Sequence, residues 1–334
     1  MSQSAGFDSE FSYELCVCRW AELAWPPGEP VGDPDSTAAT THIVARQLGT
    51  HKRRWDTVVV EVDPAELEKR AAFGDAELDS DLLHIVRNAP AEWAWYREAL
   101  PKPDYPWRYV REAVHRAADR DILHTRRAGN RIEIKRIAPY PDWLVRLVAI
   151  ENKPDLDASA ARRLGDQLRH DVGVGLADEV WVATRRTGEL VEPALLEALP
   201  VEAGILTTEF DDGVDAESAQ IDWHPTVLTP THDAAHRTAR RLELAERAYG
   251  RGWRGYHETM RPDCRAFELR RHGRALVPWC RAKGCHQSAS MCAGSCADFS
   301  PEPPAWRMRG WPIAGGPGAA SRRLLADRAD RDNY

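Results

Sequence analysis

The chain has 334 residues, 43% hydrophobic and 29% charged, which is too long and too apolar for a disordered tail and enough for one large or two modest domains around a buried core. Its 45 basic against 52 acidic side chains leave a net charge of −7, so no global positive field attracts nucleic acid or an anionic membrane, and any such partner must meet a local basic patch. Seven cysteines are too sparse for a secreted disulfide scaffold, no apolar run approaches the roughly 20 residues of a membrane span, and the opening residues lack the basic and apolar regions of a signal peptide, so a soluble cytoplasmic protein is expected.

Residues 8–25 read as a helix with Phe11, Glu14, Leu15, Cys18, Glu22 and Trp25 on one face, so that Glu14 and Cys18 are stacked neighbours. A Pro/Gly loop follows at 26–35, then a β-branched strand at 54–62, ended by Pro64. Residues 78–88, 91–100 and 107–120 read as three helices separated by prolines. Two β-prone runs, 122–127 and 131–137, flank the turn signal Ala128-Gly129-Asn130. Three helices and a hairpin make a winged helix, placed at 75–138.

A strand at 143–153, a helix from an Asp157 N-cap to about Asp171 and a strand at 179–184 form a β-α-β unit. A helix at 192–199 and strands at 204–208 and 221–224 extend that sheet. A helix near 237–250 leads into a cysteine-bearing segment, 264–296, and a Pro/Gly-rich tail in which Trp306 and Trp311 lie. The expected architecture is α/β (α+β): a mixed sheet flanked by helices from 8–63 and 140–230, the inserted module at 75–138, and a C-terminal segment at 237–334.

Chemistry concentrates at the end of the strand 143–153. Alternation puts Leu147, Ala149, Glu151 and Lys153 on one face and turns Asn152 away. A carboxylate beside an ammonium can hold a divalent metal and leave the lysine to orient or deprotonate a water. Taken alone, Glu-x-Lys is more often a surface ion pair on a solvated strand. Three further residues raise its weight: Asp56 at the start of an apolar strand, Gln167 on the following helix at the face of Leu164 and Asp171, and Glu14 on the leading helix.

Glu14, Arg54-Trp55-Asp56, Ala149-Ile150-Glu151-Asn152-Lys153, Gln167 and the run 177–183 together resemble the PD-(D/E)XK nuclease superfamily, the restriction-endonuclease-like fold, within its RecB-like branch. The resemblance implies that Asp56 and Glu151 bind Mg²⁺ or Mn²⁺, that Lys153 assists the attacking water, and that Glu14 and Gln167 support the site. The chemistry implied is phosphodiester hydrolysis, with DNA as the expected partner in repair, recombination or defence. The span from Asp56 to Glu151 exceeds the family's usual hairpin connection, and the inserted module accounts for it. Pro141-Asp142 offers a rival aspartate, but Asp142 precedes the strand at its far end, about 30 Å from Glu151 along extended chain.

Six lysines against 39 arginines give a composition that resembles haloarchaeal proteins, where salt screens exposed charge and a nucleic-acid binder needs many phosphate contacts. Between residues 105 and 137, nine basic side chains face four acidic ones, a local excess of five positive charges. Arg108 and Arg111 on the third helix, with Arg126, Arg127 and Arg131 on the hairpin, are the candidate nucleic-acid contacts. An arginine-rich solvated face is the plainer explanation.

Cys264, Cys280, Cys285, Cys292 and Cys296 fall within 33 residues, a clustering that suggests a metal, although the spacings match no paired C-x2-C knuckle. RecB-like nucleases of the AddB and CRISPR-associated exonuclease kind hold a [4Fe–4S] cluster with one cysteine beside the first helix and three near the C-terminus. That resemblance implies Cys18 with Cys280, Cys292 and Cys296. The alternatives are Zn²⁺ on Cys264, Cys280, Cys292 and Cys296, or small buried thiols with no metal.

Overall fold

The computed structural model describes residues 10–28, 41–50, 53–102, 105–186, 197–210, 214–228, 234–253, 264, 266–272, 275–288, 291–292 and 296–300. It divides into two compact units, residues 17–253 and residues 1–16 with 254–334. The expected helix at 192–199 and Trp306 and Trp311 lie outside the described residues or mostly so. Among the described residues, no helix is long and apolar enough to cross a membrane.

The larger unit is mixed α/β. It begins within helix α1 (Glu10–Ala24) and is built on strands β1 (Thr41–Gly49) and β2 (Arg54–Val62), then helix α2 (Pro64–Arg70). Helix α3 (Ser80–Asn88), strand β3 (Ala94–Trp95), helices α4 (Tyr96–Ala99) and α5 (Trp107–Asp119), and strands β4 (Leu123–Ala128) and β5 (Arg131–Arg136) follow. Strand β6 (Leu144–Asn152), helix α6 (Ala158–Val174), strands β7 (Glu179–Arg185), β8 (Gly204–Thr208) and β9 (Ala219–Trp223), and helix α7 (Ala234–Arg251) complete it.

Six strands form one sheet in the order β1-β2-β6-β7-β8-β9. The pairs β1–β2, β2–β6 and β8–β9 are antiparallel, and β6–β7 and β7–β8 are parallel. The parallel pair β6–β7 requires a crossover, and α6 supplies it. Asp157 caps that helix by accepting from the Ser159 and Ala160 N–H groups, and Gly175, at φ +57°, ends it in the left-handed conformation a glycine adopts without strain.

The strands are nearly continuous apolar runs because both sheet faces are covered. On one face Cys18 Sγ of α1 lies 3.3 Å from Thr57 Oγ1, and Trp25 donates to Glu61 (2.8 Å). On the other, Val58, Val60, Leu147, Ala149, Val180 and Val182 pack in one cluster with Leu164 and Leu168 of α6 and Leu242 and Ala245 of α7. Helix α7, expected to open the C-terminal segment, therefore belongs to the sheet's own core.

Between β2 and β6 the chain leaves the sheet for α3, α4, α5 and a separate three-stranded sheet ordered β3-β5-β4. Asp79 caps α3 through the Leu82 N–H (2.9 Å), and Val110, Val114 and Ala117 turn inward from α5 as their spacing dictates. The helix expected at 91–100 is corrected: Ala94 and Trp95 are extended and pair with Ile134 and Glu133, leaving a four-residue helix, Tyr96–Ala99. This inserted module shares the sheet's hydrophobic cluster. A wholly buried ion pair ties it down: Arg70 Nε and Nη2 each stand 2.6 Å from the Glu246 carboxylate, which also accepts the Leu78 N–H (3.0 Å) and the Tyr140 hydroxyl.

The smaller unit's described strands are β10 (Phe267–His272), β11 (Ala275–Cys280) and β12 (Cys285–His286), in one antiparallel sheet.

Candidate active site

The register Thr57↔Ile150 between β2 and β6 places Asp56 beside Glu151 at the end of two neighbouring strands. Alternation directs both to the face opposite Thr57 and Asn152, whose side chains bond to each other (3.0 Å). The Asp56 carboxylate closes the ladder by accepting the Asn152 N–H at 3.0 Å. Gln47, which drops out of the β1–β2 register at φ +54°, donates to its other oxygen at 3.3 Å. One strand irregularity and one backbone N–H thus aim the carboxylate.

Glu151 is 3% exposed. Burial pushes its carboxyl up to about 8, Asp56 and Asp171 push the same way, and Arg53 and Lys153 oppose them. Arg53 Nη2 is 2.7 Å from Glu151 Oε1 and 3.0 Å from Asp171 Oδ2, while Arg53 Nε donates to both Asp171 oxygens (3.2 and 3.1 Å). The Asp171 carboxyl is raised by its burial on α6, with Arg53 pulling it back. Three carboxylates and two cations thus converge where β6 and β7 present their carboxyl ends, the usual place for a site in such a sheet.

Asp56, Glu151 and Lys153 are brought together as the spacing suggests. Asp142 is left exposed beyond the other end of β6, so that Asp56 and not Asp142 is the aspartate beside Glu151. Gln167 is corrected: the buried stripe of α6 runs through Ala161, Leu164, Leu168 and Asp171, Gln167 falls outside it and is exposed, and Asp171 is the α6 residue that reaches Glu151 through Arg53. Glu14 is buried on α1, one turn ahead of Cys18. Arg53 and Asp171 are the residues missed. A carboxylate on the apolar stripe of a helix was the available signal, because a buried charge needs a partner.

On the inserted module, Arg108, Arg111, Arg126, Arg127 and Arg131 are all exposed. Arg126 pairs with Glu133 (2.7 Å) and lies over Trp93, Arg131 lies over Trp95, and Arg108 lies over Tyr109. Arg111 and Arg127 have no ion-pair partner among the described residues, and with His115 and Thr125 they line a groove between α5 and β4.

The donors at the sheet end are carboxylate oxygens, the ligands that hard divalent cations take. Among the described residues, no three His, Cys, Asp or Glu side chains already stand as a metal-holding group. Glu151 Oε1 is buried and, beyond its ion pair, accepts no hydrogen bond, so its lone pairs suit a cation.

Residues 43–301 match the model of a family of unknown function, DUF5787, and the chain belongs to that family. No curated protein and no solved structure matches it.

Proposed function

We propose that this member of DUF5787 is a metal-dependent nuclease of the restriction-endonuclease-like, RecB-like kind, hydrolysing phosphodiester bonds in DNA. The observation that carries the reading is the side-by-side placement of Asp56 and Glu151 at one end of β2 and β6, with Lys153 following on the same strand end. The element order supports it: a leading helix, three antiparallel strands bearing the aspartate and then the Glu-x-Lys, a helix and a parallel strand.

Asp56 and Glu151 would hold Mg²⁺ or Mn²⁺, which when bound polarises the phosphoryl oxygen and activates water. Lys153 places a positive charge where the transition state gathers negative charge, and it orients the water. Arg53 positions Glu151 and Asp171. Gln47 and the Asn152 N–H hold Asp56. The inserted module reads as a winged helix that meets the duplex through Arg111 and Arg127, and a soluble cytoplasmic setting in repair, recombination or defence belongs to the same reading.

A second reading, a DNA-binding adaptor on an inactive nuclease fold, is favoured by the 2.7 Å ion pair in which the Arg53 guanidinium engages one oxygen of Glu151. A cleavage panel separates the two. Purified protein in high potassium chloride is offered single-stranded DNA, duplex DNA and structured RNA, with and without Mn²⁺. Metal-dependent cutting of DNA, abolished by Glu151→Ala and by Lys153→Ala in folded protein, is expected. Binding without divalent metal and without cutting would establish the adaptor, and cutting confined to RNA would reassign the substrate.

A further inference from the structure

Within the smaller unit, Cys264, Cys280, Cys292 and Cys296 line one cavity together with Phe267, Trp279, Gln287 and Phe299. The cavity has about 20 Å³ of free space, room for one guest the size of an ion or a water. Its walls come from three separate stretches of chain, and tight turns shape them. The Cys264 carbonyl accepts the Phe267 N–H (3.0 Å), the Cys280 carbonyl the Gly284 N–H (2.8 Å), and the Cys296 carbonyl the Phe299 N–H (3.2 Å).

None of the four forms a disulfide among the described residues. Lys283 donates to the Met291 carbonyl (2.9 Å) and lies near Cys296 and Cys280, where an ammonium offsets thiolate charge. Cys285 stands apart: it sits across the β11–β12 hairpin from Cys280, its Sγ accepts from Gln287 Nε2 (3.1 Å), and it does not line the cavity.

Ala266, Phe267, Val277 and Pro278 are buried beside Cys264 in this part of the chain. Short strands in a small unit are the setting in which a bound metal acts as a staple.

We propose that Cys264, Cys280, Cys292 and Cys296 bind one structural Zn²⁺ as a tetrathiolate that folds the C-terminal unit. Binding displaces the four thiol protons and forms four zinc–sulfur bonds, so that the ion joins four thiols that line one cavity. The proposal is independent of the nuclease reading, since it concerns another part of the chain.

The test uses the full chain, purified under reducing conditions without chelator, and measures zinc, iron and acid-labile sulfide. One zinc per chain without sulfide is expected. Replacement by Co²⁺ should give the intense thiolate-to-metal charge-transfer band and the visible bands of a tetrahedral four-thiolate site. Cys292→Ser and Cys296→Ser should lose the bound zinc, while Cys285→Ser keeps it. A metal-free native protein, or iron with sulfide, overturns the proposal, as does zinc lost from Cys285→Ser but retained by Cys292→Ser. Should the serine variants prove insoluble, the cobalt spectrum of the wild-type chain decides, and a spectrum without four thiolates refutes the ligand set.

Discussion

Replacing Glu151 by Gln should make the metal-free protein more stable while removing its response to metal. The Glu151 carboxyl is raised from 4.5 to about 8, first by burial and then by Asp56 and Asp171. A raised acid favours folding in its protonated form, so its contribution is intact below pH 4.5 and is lost as the pH climbs towards 8. At about 1.4 kcal/mol for each pH unit, the interval from 4.5 to 7 costs the native protein on the order of 3 kcal/mol. Glutamine keeps the shape and never ionises. Urea denaturation in EDTA, at pH 5 through 8, should show Glu151→Gln gaining on the native protein as pH rises, with other groups cancelling in the difference. Added Mg²⁺ at 100 times its dissociation constant should then stabilise only the native protein, by about 2.7 kcal/mol. A difference that is flat with pH, or a variant less stable at pH 8 than at pH 5 relative to native, would refute the account of a strained carboxylate awaiting a cation.

Glu246→Gln should cost about 3–5 kcal/mol in the same assay, because it leaves the Arg70 guanidinium buried without its counter-charge, and pairing it with Arg70→Met should recover much of the loss. Arg111→Ala with Arg127→Ala should weaken duplex binding and reduce the slope of log affinity against log salt by about 2, one phosphate contact for each arginine; unchanged salt dependence would assign the groove another role. Asp79→Ala should cost about 1 kcal/mol as a lost helix cap. Burial works to raise the Asp79 carboxyl, but Arg116 and the Leu82 N–H outweigh it and hold the group below its ordinary value. The native advantage over Asp79→Ala should therefore be full above the ordinary carboxylate range and fade on acidification, which denaturation at pH 3 and 6 will read.

Elements with one unbroken period were legible in the sequence. The strand 54–62 is β2 residue for residue, the strand 204–208 is β8, and α3, α5 and the β4–β5 hairpin lie within two residues of their expected bounds. Strand β1 was not legible: its apolar residues Ile43, Val44 and Ala45 run together, and the left-handed Gln47 breaks the alternation before Leu48. Strand β3 has two residues and owes its extended form to pairing with β5, which tertiary structure supplies. In the site, Asp56, Glu151 and Lys153 could be read because pleat and register fix their direction. Gln167 misled because its helix phase was assigned by its spacing from Leu164 and Asp171, whereas the stripe through Ala161, Leu164 and Leu168 excludes it. Arg53 carried no signal, since its role rests on a contact 98 residues away with Glu151.

The inserted module leaves the sheet after Val62 and returns at Leu144, which pair with each other, whereas Asp56 and Glu151 lie beyond the Thr57–Ile150 pair. Six residues of extended strand separate root from carboxylates, about 20 Å. At 3.4 Å per base pair that is the rise of about six base pairs, so an oligonucleotide shorter than this could not occupy both ends of the strand at once. Under the nuclease function proposed above, with the module on the same duplex, turnover is expected to climb with substrate length through at least this span, and equal turnover on shorter duplexes would detach the module from substrate binding.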